Sequence, residues 1–165
     1  MSDELDKLPV GNLTLLLARR LAAQEPITNI EQWARAAGIG RTLLDKLDDG
    51  SLQYIHIENL KKAAVVIGLP SLGPLFGFGE QPSVLTGPAN RPISQVVQIQ
   101  GMSMRELASR TSIRRPSLIA LDKGEAVYFR VIHLFTLCDV LQVSLDDLLH
   151  YHPNRNTSEE KGGGK

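Results

Sequence analysis

The sequence predicts an all-α protein built from two tandem five-helix bundles, and three observations predict it. Sliding the chain along itself by 74 positions aligns Gln24–Phe76 with Gln98–His150 without a gap. Helix start and stop signals recur at matched positions in the two segments. Between and after them lie stretches with no helical period, rich in proline or glycine.

The repeat is strongest where steric demands are sharpest. Between Ala34 and Gly50 the identities are Ala34/Ala108, Ile39/Ile113, Arg41/Arg115, Leu44/Leu118, Leu47/Leu121, Asp48/Asp122 and Gly50/Gly124. Outside that run Gln24/Gln98, Tyr54/Tyr128, Leu60/Leu134 and Val66/Val140 also match. A repeat of this kind is read first because it decides the architecture.

Each element follows in order. Leu13–Gln24 and about Pro92–Gln100 read as opening helices. Ser103 and Glu106 form a capping box at the start of Met104–Thr111, and Asn29 with Gln32 stands at the same place before Ile30–Ala37. A turn follows, then short helices at about Arg41–Asp49 and Arg115–Lys123, each ended by a glycine, Gly50 or Gly124. Longer helices come next. Val131, Leu134, Leu137, Cys138 and Leu141 recur at three- and four-residue spacing, as do Ile57, Leu60, Ala63, Ala64 and Ile67. Ser144 caps a last helix, Leu145–His150. The stretch Pro70–Pro92 holds five prolines and four glycines and reads as a connector, with Leu75, Phe76 and Phe78 folding back onto the first bundle. The expected division is an N-terminal segment 1–12, a first bundle 13–78, a linker 79–91, a second bundle 92–152 and a disordered tail 153–165.

Composition narrows the classes. Hydrophobic residues make up 42% and charged residues 22%, as in an ordinary globular chain. No apolar stretch reaches the roughly 18 residues of a membrane span, and the acidic N-terminus carries no signal-like core. One cysteine, Cys138, excludes an internal disulfide and suits a reducing cytoplasm. Net charge is zero, so any attraction to nucleic acid has to be local.

The run Gly101-Met102-Ser103-Met104-Arg105-Glu106-Leu107-Ala108, followed by Ile113, Leu118, Leu121, Asp122 and Gly124, resembles the Cro/phage-repressor (XRE-type) helix-turn-helix family. So does Leu141-Gln142-Val143-Ser144-Leu145-Asp146-Asp147-Leu148. The first segment keeps Trp33-Ala34, Gly38-Ile39, Leu44, Leu47-Asp48 and Gly50 of the pattern. The resemblance implies two lambda-repressor-like bundles, each laying its second short helix in the major groove. It departs from the family at Met104 and Ile30, where relatives often carry a phosphate-reaching glutamine, and at Ser112, where Gly38 has its counterpart. Ala34 and Ala108 allow the short helices to cross closely, and Ile39, Ile113, Leu44, Leu118, Leu47 and Leu121 face the core.

By the same resemblance the base-reading residues of the second segment are Arg115, Ser117 and Ala120, beside Pro116 and Ile119. Arg114 caps the helix and, with Arg105, Arg110, Lys123 and Arg130, meets phosphate. In the first segment Arg41, Thr42 and Lys46 take the reading positions. An arginine such as Arg115 can bridge guanine O6 and N7. Residues 101–130 hold six basic and three acidic side chains, and residues 27–56 hold three and four, so the second segment is expected to be the main reader.

These residues imply a bacterial or phage-type transcription regulator, cytoplasmic and nucleoid-associated, with double-stranded DNA as partner. A homodimer, or a protein partner held by the first segment, stays open, as does an adaptor or antitoxin-like role for the bundles. No nucleophile–base pair, phosphate loop or paired-carboxylate motif is present, so no enzyme and no cofactor is expected. His133, Cys138, His150 and His152 lack the context of a metal site: the cysteine falls on an apolar helix face, and His150-x-His152 borders the tail.

Overall fold

The computed structural model describes residues 11–76 and 91–151. The expected segment before Gly11, most of the linker 79–91, Phe78, His152 and the tail 153–165 lie outside the described residues. The described residues fall into two compact units, one of 11–76 with Tyr128–Ile132 and the other of 91–127 with 133–151. The fold is mostly helical, and among the described residues no helix is long and apolar enough to cross a membrane.

In the first unit, α1 (Asn12–Ala22) leads to α2 (Ile30–Ala37), α3 (Thr42–Asp49), strand β1 (Tyr54–His56) and α4 (Ile57–Val66). The expected connector opens with a 3-10 turn, Gly73–Phe76, whose buried Leu75 and Phe76 pack against α1, so this unit has four α-helices where a five-helix bundle was expected. Asn29 caps α2 by accepting from the Gln32 N–H at 2.8 Å, while Gln32 Oε1 accepts from the Thr28 N–H at 2.9 Å. Helix α1 stops at Ala22 rather than Gln24, which turns left-handed at φ 61°. The core gathers Leu13, Trp33, Leu44, Leu47, Leu60, Leu72 and Phe76, all at 0% exposure. Ile39, expected there, is only half-buried.

Trp33 fills the centre of that core, and its indole N–H donates to the Ala63 carbonyl at 2.8 Å. Trp33→Phe removes the donor, strands a buried carbonyl and leaves space behind. Unfolding by denaturant is expected to show a loss of about 1–2 kcal/mol.

In the second unit α5 (Pro92–Ile99) is followed by α6 (Met104–Thr111), α7 (Arg115–Asp122), α8 (Val131–Leu141, whose first two residues group with the first unit) and α9 (Leu145–Leu148). Ser103 caps α6, accepting from the Glu106 N–H at 3.0 Å, and Ser144 caps α9, accepting from the Asp147 N–H at 3.1 Å. The last helix ends short of His150 because His150 is itself left-handed at φ 57°. Its ring then turns back, with Nε2 3.3 Å from the Leu121 carbonyl. The apolar stripe Leu134, Leu137, Cys138 and Leu141 is buried, together with Ile93, Val96, Leu107 and Leu118. Ala108 is half-buried, although close helix crossing was expected to hide it.

Each unit ties its opening helix down with an aspartate from the end of the second short helix. Asp48 accepts from the Leu13 N–H (3.0 Å), the Thr14 N–H (2.9 Å) and the Thr14 hydroxyl (2.8 Å). Asp122 accepts from the Ile93 N–H (2.8 Å), the Ser94 N–H (3.2 Å) and the Ser94 hydroxyl. The carboxylates supply the partners that the first N–H groups of a helix lack, and their charge favours its N-terminus.

The all-α expectation is corrected by a small antiparallel sheet. Strand β2 (Tyr128–Arg130) pairs with β1 and belongs with the first unit. The triplets Tyr-Ile-His and Tyr-Phe-Arg bury their middle residue and expose their first, as a one-faced strand does.

In the second unit, burial, reinforced by the Asp146, Asp147 and Asp139 carboxylates, pushes the Cys138 thiol from 9.0 up to about 12. Burial near Asp146 likewise pushes the Tyr151 hydroxyl from 10.0 up to about 12. Both groups are neutral at pH 7 in the folded and the unfolded chain alike, so neither affects stability there. Above about 9 the unfolded chain releases protons that the folded chain retains, and stability falls as pH rises toward 12. The unfolding midpoint is expected to stay flat below about pH 9 and then decline, and Cys138→Ala should remove the earliest part of that decline.

Candidate nucleic-acid interface

The second unit builds its exposed helix from the turn upward. Helix α6 ends at Ser112, which takes the left-handed conformation at φ 60°, as Gly38 does at 72° after α2. The serine keeps the turn that glycine adopts more readily, because buried Ile113 anchors the next residue in the core. The chain then enters α7. Leu118, Leu121 and Asp122 point inward, at 0%, 1% and 2% exposure. Arg115, Pro116, Ser117 and Ile119 are exposed on the other side, and Ala120 is half-buried beside them.

Arg114 occupies the N-cap of α7, but its side chain makes no capping hydrogen bond; the expected cap is a matter of backbone position alone. Pro116 has no N–H to offer, and the Ser117 N–H donates to the Arg114 carbonyl at 3.0 Å. The start of α7 therefore presents few free N–H donors to an anion. Its positive character rests on the guanidinium groups.

Those groups are uncommitted. Among the described residues Arg105, Arg114, Arg115, Lys123 and Arg130 are all exposed and none forms an ion pair. Arg110 differs, since its Nη2 lies 2.9 Å from Glu106 Oε2. Arg105, Arg110, Arg114, Arg115, Ser117, Ala120 and Lys123 all belong to the second unit. Arg130, on β2, groups with the first.

The corresponding face of the first unit is wired differently. Arg41 sits at the N-cap of α3, one residue before the helix proper, and Thr42 and Lys46 are exposed on it. Arg41 Nε donates to Asp45 Oδ2 at 3.1 Å and Nη2 to Asp45 Oδ1 at 3.4 Å. This fork holds the Arg41 pKa above its ordinary value, first through the hydrogen bond and then through the charge of Asp45. The position equivalent to Asp45 is Ile119, and that equivalent to Asp49 is Lys123. One unit thus cancels its leading arginine internally, whereas the other leaves it open.

The missed signal was readable: an aspartate four residues after Arg41 is the spacing at which helical side chains meet. In the other segment the same spacing leads from Arg115 to isoleucine. No curated protein and no solved structure matches the chain. Residues 93–154 match the family model described as the Cro/C1-type HTH DNA-binding domain, and the chain carries one such domain there.

Proposed function

We propose that this chain is a sequence-specific regulator that binds double-stranded DNA, with α7 in the major groove and the second unit as the main reader. The observation that carries this is the exposed, unpaired Arg114–Arg115 pair at the start of the second short helix of the matched domain. Arg115 reads guanine, Ser117 adds a polar contact, and Ala120 offers its methyl group to thymine. Arg105, Arg114, Lys123 and Arg130 hold phosphates, with Arg110 available once it leaves Glu106.

The first unit is a second, tandem copy of the bundle in this reading. The gapless sequence alignment supports that, as do the paired roles of Asp48 and Asp122 and the shared left-handed turns. Arg41, Thr42 and Lys46 then form a weaker reading face, contacting DNA beside the first. The internal Arg41–Asp45 pair favours one second reading, in which this unit meets a protein partner or another copy of the chain. The site of action is DNA in the cytoplasm.

The test is binding of the full-length chain to a random-sequence duplex pool across a salt series. Enrichment of a defined site, with the logarithm of affinity falling linearly in the logarithm of salt, is expected. Lys123→Ala should weaken binding to all duplexes alike and reduce the salt slope by about one. If no sequence is enriched and no duplex binds at low salt, the bundles serve protein contact instead.

A further inference from the structure

Helix α7 divides its long aliphatic side chains between two faces. Leu118 and Leu121 are buried at 0% and 1% exposure and fill the core of the second unit. Ile119 is exposed at 38%, on the side that carries Arg115. The aligned residue of the first unit is Asp45, which serves there as an ion-pair partner for Arg41. Isoleucine at this position leaves Arg115 uncommitted and sets an apolar surface one helical turn away from it. Its branched Cβ restricts χ1 in a helix, so little rotamer freedom remains to be lost on contact.

The surroundings decide what that surface meets. Arg114, Arg115 and Lys123 are exposed and form no ion pair among the described residues, while Asp122, the one acid of α7, is buried at 2%. A second copy of the same face would bring these uncompensated cations against one another. An anionic surface that carries apolar groups fits instead. The major groove of duplex DNA presents one such group, the methyl on C5 of thymine. A 5-methylcytosine carries the same group on the same ring atom.

We propose that Ile119 is a specificity-determining residue that recognises the C5-methyl group of a pyrimidine within two base pairs of the guanine read by Arg115; this rests on the function proposed above. Side chains four residues apart rise from a helix with their Cβ atoms about 5–6 Å from each other. Successive bases of a strand lie about 3.4 Å apart along the duplex, so the two contacts fall one or two steps from each other. Ala120, half-buried beside Ile119, ends at Cβ, and the longer, more exposed isoleucine makes the larger contact.

The experiment starts from the site selected by the full-length chain, with the guanine located as the position that loses its preference in Arg115→Ala. At each pyrimidine within two base pairs of it, matched duplexes carry thymine or uracil, and cytosine or 5-methylcytosine, so that each pair differs by one methyl group. At one of these positions the methylated duplex is expected to bind about threefold to tenfold tighter. Discrimination in the thymine pair alone names thymine as the source of the methyl, and discrimination in the cytosine pair as well admits 5-methylcytosine. In Ile119→Ser the ratio within a pair should fall to about one, and Ile119→Val, which keeps a branched apolar surface, should retain part of it. The native chain on uracil duplexes gives the same reading without any variant. Equal binding within every pair overturns the proposal and leaves DNA binding by Arg115 intact. A methyl preference unchanged in Ile119→Ser also overturns it, since another residue then makes the contact. Absence of any enrichment or duplex binding overturns the function itself and the proposal with it.

Discussion

Arg115→Ala is expected to abolish base preference at one position of the selected site and to cost about 1–3 kcal/mol on the preferred sequence, roughly fivefold to 150-fold in affinity. The side chain is exposed at the first position of α7 and pairs with no described acid, so no internal bond has to break before it meets a base. Two parallel hydrogen bonds to one guanine edge need a planar fork. Arg115→Lys should therefore lose most of the preference while keeping the charge. Against a panel of duplexes with single base changes, the alanine variant should bind all four bases at that position equally. Arg41→Ala is expected to have a smaller effect, because its guanidinium is already committed to Asp45. Asp45→Ala releases it and should tighten binding at low salt. Equal losses from Arg115→Ala and Arg41→Ala would mean that both units read DNA alike, with no asymmetry between them.

That asymmetry was only partly legible in the sequence. The charge difference between the two windows could be counted, yet Arg41 stood among the readers because a count does not show which arginine is already paired. The helices Ile30–Ala37 and Met104–Thr111 were legible to the residue, since Asn29 and Ser103 announce their starts with side chains that accept from a backbone N–H three residues on. The apolar stripes of α4 and α8 were legible for a similar reason: their period spans more than two turns. The ribbon was not. Three residues per strand give too little alternation to read, and neither triplet is a strand without its partner far along the chain. The repeated Tyr54 and Tyr128, each next to a β-favouring residue, were the available hint. Ser112 looked like a defect in the turn, although the backbone keeps the conformation of Gly38 at a modest cost.

The two aspartates were visible as a repeat identity, but their task was hidden because the helices they cap begin at Asn12 and Pro92, outside the gapless alignment. Their geometry yields the largest expected loss of stability. Asp122 is 2% exposed and receives hydrogen bonds from the Ile93 and Ser94 N–H groups and the Ser94 hydroxyl. Asp122→Ala leaves those donors without a partner where water does not readily enter, and it takes a negative charge from the start of α5. Together these should cost about 2–4 kcal/mol in denaturant unfolding, a large share of an ordinary domain's stability. Asp48→Ala removes the same set of bonds from a half-exposed site, where water replaces the carboxylate, and should cost only about 1–2 kcal/mol. Asp122→Asn keeps an acceptor for the backbone and should recover part of the loss. Because Asp122 is also the last residue of α7, the alanine variant should weaken binding to every duplex by a similar factor, unlike Arg115→Ala, which acts at one base. Equal destabilisation by the two aspartate-to-alanine substitutions would show that burial does not set their weight.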